Sequence, residues 1–280
     1  MTSAPMQPRT VTTERRRHLG LLEIADLDIE TIDQILTAEL VRHRFDGTVA
    51  IDVPGHLSHV RTAVTEAVGR AGGRVVVTSW PLLWTDRNNP LGGQLRPPLR
   101  AAVIGGDHSV LDRARQHATV PIVNAGSDRE CPLQVLADLC TIRDLLGRLR
   151  GASIAYVGGP GPYRTSLVHA AVRTGIDLVI CSATTDTALI RLFDAARPFA
   201  ELFGGSLTIV DPTRSVVNVD VIVGEPTPFG LFATSIHLPL ERTGIAADGG
   251  ATSSEGPRCL LFHRQENLRE VVRKVLTVIA

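Results

Sequence analysis

The amino-acid sequence predicts an α/β protein with two doubly wound parallel sheets joined by a helix. Short apolar strands alternate with amphipathic helices over residues 48–123, a pattern typical of a parallel sheet with helices on both faces. The same alternation returns over residues 153–223, after one long apolar helix at 132–149. The chain has 280 residues, which is enough for two domains of this kind.

The first half of the chain is predicted to open with an amphipathic helix at residues 21–41, where Ile and Leu recur at helical spacing. Asp28 is the expected cap of this helix. Residues 80–98 are rich in Pro, Gly and Asn, which indicates a long loop. Strands are predicted at residues 48–53, 74–78, 101–104 and 120–123, and helices at 58–71 and 111–117.

The second half begins with the helix at 132–149, which has proline in its first turn, a favoured position for that residue. Strands are then predicted at 153–157, 178–181, 207–210 and 219–223, and helices at 164–174, 187–201 and 266–279. Ligands of doubly wound sheets bind at the carboxyl ends of the strands. With two domains, the cleft between them is the expected binding site.

The composition excludes several functional classes. A formal net charge of zero argues against a general binder of nucleic acid or of membrane surfaces, and no apolar run is long enough to span a bilayer. Lys274 is the only lysine, so no mechanism can use a lysine elsewhere. The four cysteines form no CxxC pair and no zinc-site spacing, which predicts reduced thiols in a cytoplasmic protein without a metal. The polar residues 1–18 predict a disordered arm and not a secretory signal.

Residues 120–159 carry the most specific pattern in the chain. They read VPIVNAGSDRECPLQVLADLCTIRDLLGRLRGASIAYVGG. This stretch resembles the aspartate/ornithine carbamoyltransferase family, in which a strand ending V-P-V-I-N-A/G is followed by H-P-x-Q, then A-L-x-D-L-x-T-I, G-x-L-x-G and V-G-D. The stretches LLEIADLDIETIDQIL and FHRQENLREVVRKVL are similar to the family's first and closing helices. The resemblance is closer to the aspartate type.

The resemblance implies the organisation of the whole chain. Residues 19–131 correspond to a carbamoyl-phosphate domain, 132–149 to an interdomain helix and 150–264 to an amino-acid-binding domain. Residues 265–280 correspond to a C-terminal helix that packs back on the first domain. The resemblance also implies a homotrimer with active sites at subunit interfaces, a small anionic ligand and no cofactor.

The family holds carbamoyl phosphate on an S-T-R-T-R turn at the start of a helix, where free backbone N–H groups and arginines favour the dianion. The corresponding residues here are 57–61, read as LSHVR. Ser58 and Arg61 are the retained candidates for substrate binding, and His59 replaces the phosphate-binding arginine. The alternative is an ordinary helix start with Ser58 near the cap.

Two further phosphate ligands of the family have no counterpart. The third strand ends at Gly105-Gly106, where the family has an arginine. The loop that supplies a lysine across the subunit interface in aspartate-type members corresponds to residues 84–98, which contain none. Arg87 or Arg96 is the possible substitute, although arginine and lysine are not interchangeable at such sites.

The family's H-P-x-Q motif becomes Cys131-Pro132-Leu133-Gln134. Gln134 is retained as the candidate ligand of the carbamoyl amide, whereas a thiol is a poor oxyanion donor. At a helix N-terminus the thiol pKa is expected to fall, so Cys131 with His59 forms a candidate Cys/His pair. The alternative is an inert, half-buried cysteine.

The second-substrate side retains more of the family pattern. Arg164-Thr165 matches the end of the Y-G-R-T turn, whose arginine binds the amino acid's carboxylate in aspartate-type members. His237 lies in a stretch similar to the family's H-P-L-P loop, displaced by one residue. For Arg164 the alternative is a solvated arginine at a helix start, and for His237 it is a surface-loop histidine.

Three functions follow from the resemblance. The first is a diverged enzyme that binds a small carboxylate-bearing metabolite, with most carbamoyl-phosphate ligands lost. The second is a non-catalytic homologue that binds a metabolite or associates with a true carbamoyltransferase as a structural or regulatory subunit. The third is a true carbamoyltransferase with substituted ligands. A cleft blocked by Trp84, or by Leu57 and Val60, favours the second.

Overall fold

The computed structural model describes residues 20–37, 44–78, 98–118, 120–182, 187–211, 219–224, 235–238 and 261–279. Within these ranges the chain forms two parallel sheets with helices packed against them. The predicted α/β fold class is therefore confirmed. The predictions made for residues 1–18 and for the loop at 80–97 lie outside the described ranges.

The first sheet has the strand order β2-β1-β3-β4, and each neighbouring pair is parallel. The central strands are buried on both faces, which explains why their sequences are continuously apolar. The strands are β1 (Thr48–Asp52), β2 (Arg74–Val77), β3 (Leu99–Gly106) and β4 (Ile122–Ser127), and the helices are α1 (Ile29–Thr37), α2 (Ser58–Arg70) and α3 (His108–His117).

Helix α4 (Pro132–Leu146) connects the two sheets and is buried along most of its length. It starts at the predicted proline but ends three residues earlier than predicted. Gly147 adopts a left-handed φ of 71° and stops the helix there, because glycine has no β-carbon to oppose that conformation.

The second sheet has the order β7-β6-β5-β8-β9, again with parallel neighbours. Strand β9, which contains His237, was not among the predicted strands. The strands are β5 (Ser153–Val157), β6 (Asp177–Cys181), β7 (Ser206–Val210), β8 (Val221–Gly224) and β9 (Ile236–Leu238), and the helices are α5 (Pro162–Thr174) and α6 (Thr187–Phe203).

The last helix, α7 (Leu261–Ile279), packs on α1, α2 and α4. The Arg269 guanidinium lies 2.5 Å from the Glu66 carboxylate on α2, and the Lys274 ammonium donates to the Leu36 carbonyl on α1 over 3.2 Å. The predicted return of the C-terminal helix to the first sheet is therefore confirmed. No helix within the described ranges has the length and apolarity needed to cross a membrane.

Candidate functional site

A cavity of about 700 Å³ lies at the carboxyl ends of β3 and β4, in the position expected for a ligand of a parallel sheet. Helices from both halves of the chain line it. The first turn of α2 contributes Leu57, His59 and Val60, the start of α4 contributes Cys131 and Gln134, the start of α5 contributes Gly161, Pro162 and Tyr163, and α7 contributes Arg264.

Three helix N-termini open into this central cavity without a side-chain cap. The N-cap residues of α2, α4 and α5 are Leu57, Cys131 and Gly161, and none makes a side-chain hydrogen bond to its own helix. Unsatisfied backbone N–H groups and the helix dipole give such ends a partial positive charge. Their convergence adds positive potential for an anion, which the carboxylates of the lining residues Asp107 and Asp128 oppose.

A buried polar cluster forms one wall. Both Asp138 oxygens bind the Arg264 guanidinium, at 2.5 Å from Nε to Oδ1 and 2.7 Å from Nη2 to Oδ2. The Tyr163 hydroxyl donates to Oδ2 of Asp138 over 2.5 Å, and the Gln134 amide donates to Oδ1 over 3.3 Å. Asp138 is fully buried, so this arrangement satisfies a carboxylate that would otherwise be costly to bury.

The cluster fixes the protonation state of Tyr163. Burial raises the pKa of its hydroxyl well above the usual value, and the Asp138 carboxylate raises it further. Tyr163 therefore stays protonated and donates its hydrogen bond to Asp138 at physiological pH. The Arg264 guanidinium also lies 5.8 Å from the centre of the Tyr163 ring, close enough for a cation–π contact.

Cys131 lines the cavity as predicted, but its chemistry differs from the expectation. Burial raises the pKa of the thiol, and the carboxylates of Asp138 and Glu130 raise it further. This shift is opposite in direction to the expected lowering, because burial disfavours the charged thiolate and the two carboxylates add to that effect. The backbone N–H of Cys131 is bound to the Ser166 hydroxyl at 3.0 Å.

The Leu57 side chain lies over the glycines at the ends of β3 and β4. A β-carbon added to Gly105 would lie 3.0 Å from Cδ1 of Leu57, and one added to Gly126 would lie 3.1 Å from the same atom. The leucine side chain thus covers the backbone at the ends of β3 and β4. The cavity remains open beside it, so Leu57 and Val60 reduce the space in the site without blocking the site.

The other residues of the predicted phosphate turn are directed elsewhere. Ser58 is exposed and lines a separate cavity of about 230 Å³ between α2 and α7, which His59 also borders. The Arg61 guanidinium turns back to donate to the Val53 carbonyl. Neither Ser58 nor Arg61 lines the central cavity, whereas His59 does.

Two of the second-substrate candidates, Arg164 and Thr165, do not line the central cavity. Arg164 is only 4% exposed, and neither it nor Thr165 is among the residues that line the cavity. The Thr165 hydroxyl donates to the Gly161 carbonyl over 3.4 Å, a contact within its own helix start. His237 lies in β9, and its side chain is outside the described part of the structure, as are the loop residues Trp84, Arg87 and Arg96.

Sequence reasoning missed Arg264, Asp138 and Tyr163. A weak signal existed for Asp138, since an acidic residue stands in an apolar helix four positions after Gln134 and thus on the same face. Nothing in the local sequence distinguishes Arg264 from the other arginines of the closing helix.

The loop between β4 and α4 is held by buried hydrogen bonds that position Cys131. The Asn124 amide binds the Leu22 carbonyl at 2.8 Å, and Glu130 accepts from the Ser166 hydroxyl at 2.8 Å. A ring nitrogen of His169 lies 2.6 Å from Glu130. This network ties the end of the first sheet to α5, so both sides of the central cavity are fixed relative to each other.

Comparisons with known proteins point to one family. No family model matches the chain. Ornithine carbamoyltransferase of Bacillus subtilis is 27% identical over 283 residues, covering 92% of this chain and 87% of that protein. Ornithine carbamoyltransferase of Ignicoccus hospitalis is 39% identical over 117 residues, covering 41% of this chain and 38% of that protein.

Solved structures show the same fold. Ornithine carbamoyltransferase from Gloeobacter violaceus superposes with a TM-score of 0.77 at 22% identity, covering 93% of this chain and 98% of that one. Aspartate transcarbamoylase from Trypanosoma cruzi, solved with carbamoyl phosphate and aspartate, superposes with a TM-score of 0.72 at 18% identity, covering 93% and 96%.

The predicted preference for the aspartate type is not confirmed, because the sequence relatives above carry the ornithine name. The predicted family is supported at the broader level by sequence similarity over most of the chain and by the shared two-sheet architecture. The chain is therefore similar in sequence to ornithine carbamoyltransferases and shares the fold of the ornithine and aspartate carbamoyltransferases.

Proposed function

We propose that this chain is an enzyme of the carbamoyltransferase type that binds a small carboxylate-bearing metabolite in the central cavity. The observation that carries the proposal is the position of Arg264. Arg264 is among the residues that line the cavity and is held by Asp138, while the N-termini of α2, α4 and α5 lie at the same cavity. An arginine and aligned helix ends together favour a carboxylate.

The ion pair with Asp138 does not exclude this role. Asp138 accepts hydrogen bonds from Nε and Nη2 of Arg264, and this two-point contact fixes the plane of the guanidinium at the cavity wall. The carboxylate on one side holds the planar group in a single orientation, as pre-organised binding sites require. In this proposal Arg264 performs the task that the sequence resemblance assigns to Arg164.

Gln134 and His59 are the proposed polar contacts to the transferred group. Gln134 is oriented by its hydrogen bond to Asp138, and His59 stands on the first turn of α2. Both line the central cavity. Cys131 is proposed as a neutral wall residue, because a thiol with a raised pKa supplies little thiolate.

Carbamoyl phosphate is expected to bind weakly. Leu57 covers the glycines at the strand ends, and Arg61 is directed to a backbone carbonyl. Each charge-assisted hydrogen bond that is missing from the phosphate costs about 1.5–3 kcal/mol of binding free energy. The diverged phosphate side is thus the part of the proposal that separates this chain from a true carbamoyltransferase.

A non-catalytic homologue is the second candidate. Leu57 over the strand-end glycines and the raised pKa of Cys131 favour it, because the first leaves less room for an anion and the second leaves little reactive thiolate. Such a protein would bind the metabolite or associate with an active carbamoyltransferase. We also propose that the chain forms a homotrimer in the cytoplasm. Its proposed domains are residues 19–131 and 150–264, on either side of the connecting helix.

A thermal-shift screen tests the function. The purified chain is heated with carbamoyl phosphate, inorganic phosphate, L-aspartate and L-ornithine in turn, because a ligand that binds only the native state raises Tm. Stabilisation by an amino acid supports the proposal, and transfer of a carbamoyl group to that amino acid distinguishes the enzyme from the binding subunit. A large shift with sub-millimolar carbamoyl phosphate would instead support a true carbamoyltransferase.

A further inference from the structure

A second cleft, of about 410 Å³, lies away from the central cavity. It is bounded by α1, by the residues that follow α4, and by the C-terminal end of α5. The central cavity lies at the other ends of α4 and α5. We name this feature the hinge cleft, because it touches elements packed on both sheets. Its volume is within the usual range for small-molecule sites.

The two walls of the hinge cleft carry opposite charges. Glu30 and Asp33 stand three residues apart on α1, so they share one face of that helix. Both are exposed, and neither forms an ion pair with any residue in the described ranges. The facing wall contributes Arg150 and Arg173. The cleft therefore offers acceptors for an ammonium group and donors for a carboxylate.

Both arginines donate hydrogen bonds to main-chain carbonyls, and the Glu130 and Asp26 carboxylates also act on Arg173 through space. Arg150 donates from Nη1 to the Phe203 carbonyl over 2.6 Å, and Arg173 donates from Nη1 to the His169 carbonyl over 3.1 Å. Arg173 also lies over the Phe199 ring at 5.2 Å. Burial lowers the pKa of Arg173, the direction expected for a cation that is partly removed from water. A bound carboxylate would offset that desolvation.

The floor of the hinge cleft is apolar. Ile29 and Leu149 are half-buried and line it, and the almost fully buried Ile32 and Leu36 complete the apolar lining. Arg143 fixes this geometry by donating to the Leu36 carbonyl and thus joining α4 to α1. A ligand that fits needs a negative end, a positive end and an aliphatic body.

We propose that the hinge cleft binds a free α-amino acid with an aliphatic side chain. Its carboxylate is held by Arg150 and Arg173, its ammonium by Glu30 and Asp33, and its side chain packs on Ile29 and Leu149. The site is separate from the central cavity and independent of the function proposed for that cavity. Because α1 packs beside the first sheet and α5 beside the second, occupancy fixes the two halves of the chain relative to each other.

Calorimetric titration with L-leucine tests the proposal. L-Leucinamide, which lacks the carboxylate, and 4-methylpentanoate, which lacks the ammonium, are the matched probes. L-Leucine is expected to bind at millimolar concentration or below, with both probes about tenfold weaker or more, because each loses a charge-assisted contact. Absence of L-leucine binding, or equal binding of 4-methylpentanoate, would overturn the proposal.

Variants assign the binding to this cleft. Arg150→Gln and Glu30→Gln change exposed side chains, so both are expected to fold and to weaken L-leucine binding about tenfold or more. Arg191→Gln, an exposed arginine on α6 outside the cleft, is expected to bind like the wild type. The double variant Asp138→Asn/Arg264→Gln is also expected to retain L-leucine binding. Loss confined to that double variant would place the amino acid in the central cavity and refute the second site.

Discussion

Asp138 and Arg264 form a buried two-point ion pair that joins the interdomain helix to the C-terminal helix across 126 positions of sequence. The side-chain exposures of Arg264 and Asp138 are 2% and 0%, so neither charge is screened by water. Tyr163 on α5 binds the same carboxylate, which makes Asp138 the point where three helices meet beside the central cavity. Stability and ligand binding are expected to depend on this one residue.

Asp138→Asn is predicted to lower the free energy of unfolding by about 3–5 kcal/mol. The substitution keeps the shape of the side chain but leaves the Arg264 guanidinium buried without the charge of Asp138. Removal of one partner of a buried ion pair is strongly destabilising, because the other charge remains buried. Urea unfolding followed by circular dichroism measures the change. Asp144→Asn is the control, because its pair with Arg143 is half exposed and worth less than about 1 kcal/mol. Equal effects of the two substitutions would contradict the prediction.

Cys131 is predicted to react with iodoacetamide more slowly in the native protein than in urea. Its raised pKa keeps the thiol protonated up to pH 9, whereas an unfolded cysteine, with a pKa of about 8.5, is largely thiolate there. The contrast should therefore grow from pH 7 to pH 9. Mass spectrometry of the Cys131 peptide gives both rates. Native alkylation as fast as that of the unfolded chain would restore Cys131 as a candidate nucleophile.

The sequence predicted the fold well, because alternating strands and helices are visible as local periodicity. It also placed Cys131, Gln134 and His59 at helix starts, and these three do line the cavity. Local periodicity does not predict the direction in which a long side chain points. Arg61 turns back to Val53 and Arg164 is buried, and both outcomes depend on packing against other elements.

Glu23→Gln is predicted to stabilise the protein at pH 7. Burial raises the pKa of this carboxyl, and the nearby Glu130 carboxylate adds to the effect. Because the pKa is raised in the folded state, the protein is most stable with respect to this carboxyl below the unfolded pKa of about 4.3. That stability is lost as the pH rises through the folded pKa. The advantage of glutamine should therefore be present at pH 7 and absent at pH 4.

Thermal unfolding at the two pH values measures this difference. Glu201→Gln, on the exposed side of α6, is the control for the loss of a carboxylate charge as such. The contact between Glu23 and His108, 3.4 Å apart, acts in the opposite direction. Lower stability of Glu23→Gln than of the wild type at pH 7 would show that this contact dominates.

Leu57→Ser is predicted to increase the affinity for inorganic phosphate several-fold. The serine frees the space above Gly105 and Gly126 and adds a hydroxyl at the N-cap of α2. Val64→Ala, in the buried part of the same helix, is the control for general loosening. Calorimetric titration with phosphate compares them. If Val64→Ala gains as much affinity as Leu57→Ser, the side chain of Leu57 is not what limits the site.

The central claim is that Arg264 holds a carboxylate-bearing ligand in the central cavity. The most direct measurement is calorimetric titration with L-aspartate and L-ornithine of three proteins: the wild type, Asp138→Asn/Arg264→Gln and the exposed-arginine control Arg197→Gln. The double variant removes both charges, so no buried ion is left unpaired. One of the two amino acids is predicted to bind the wild type and the control with equal affinity. Its affinity for the double variant is predicted to be lower by about tenfold or more. Equal binding to all three proteins, or no binding to the wild type, would contradict the claim.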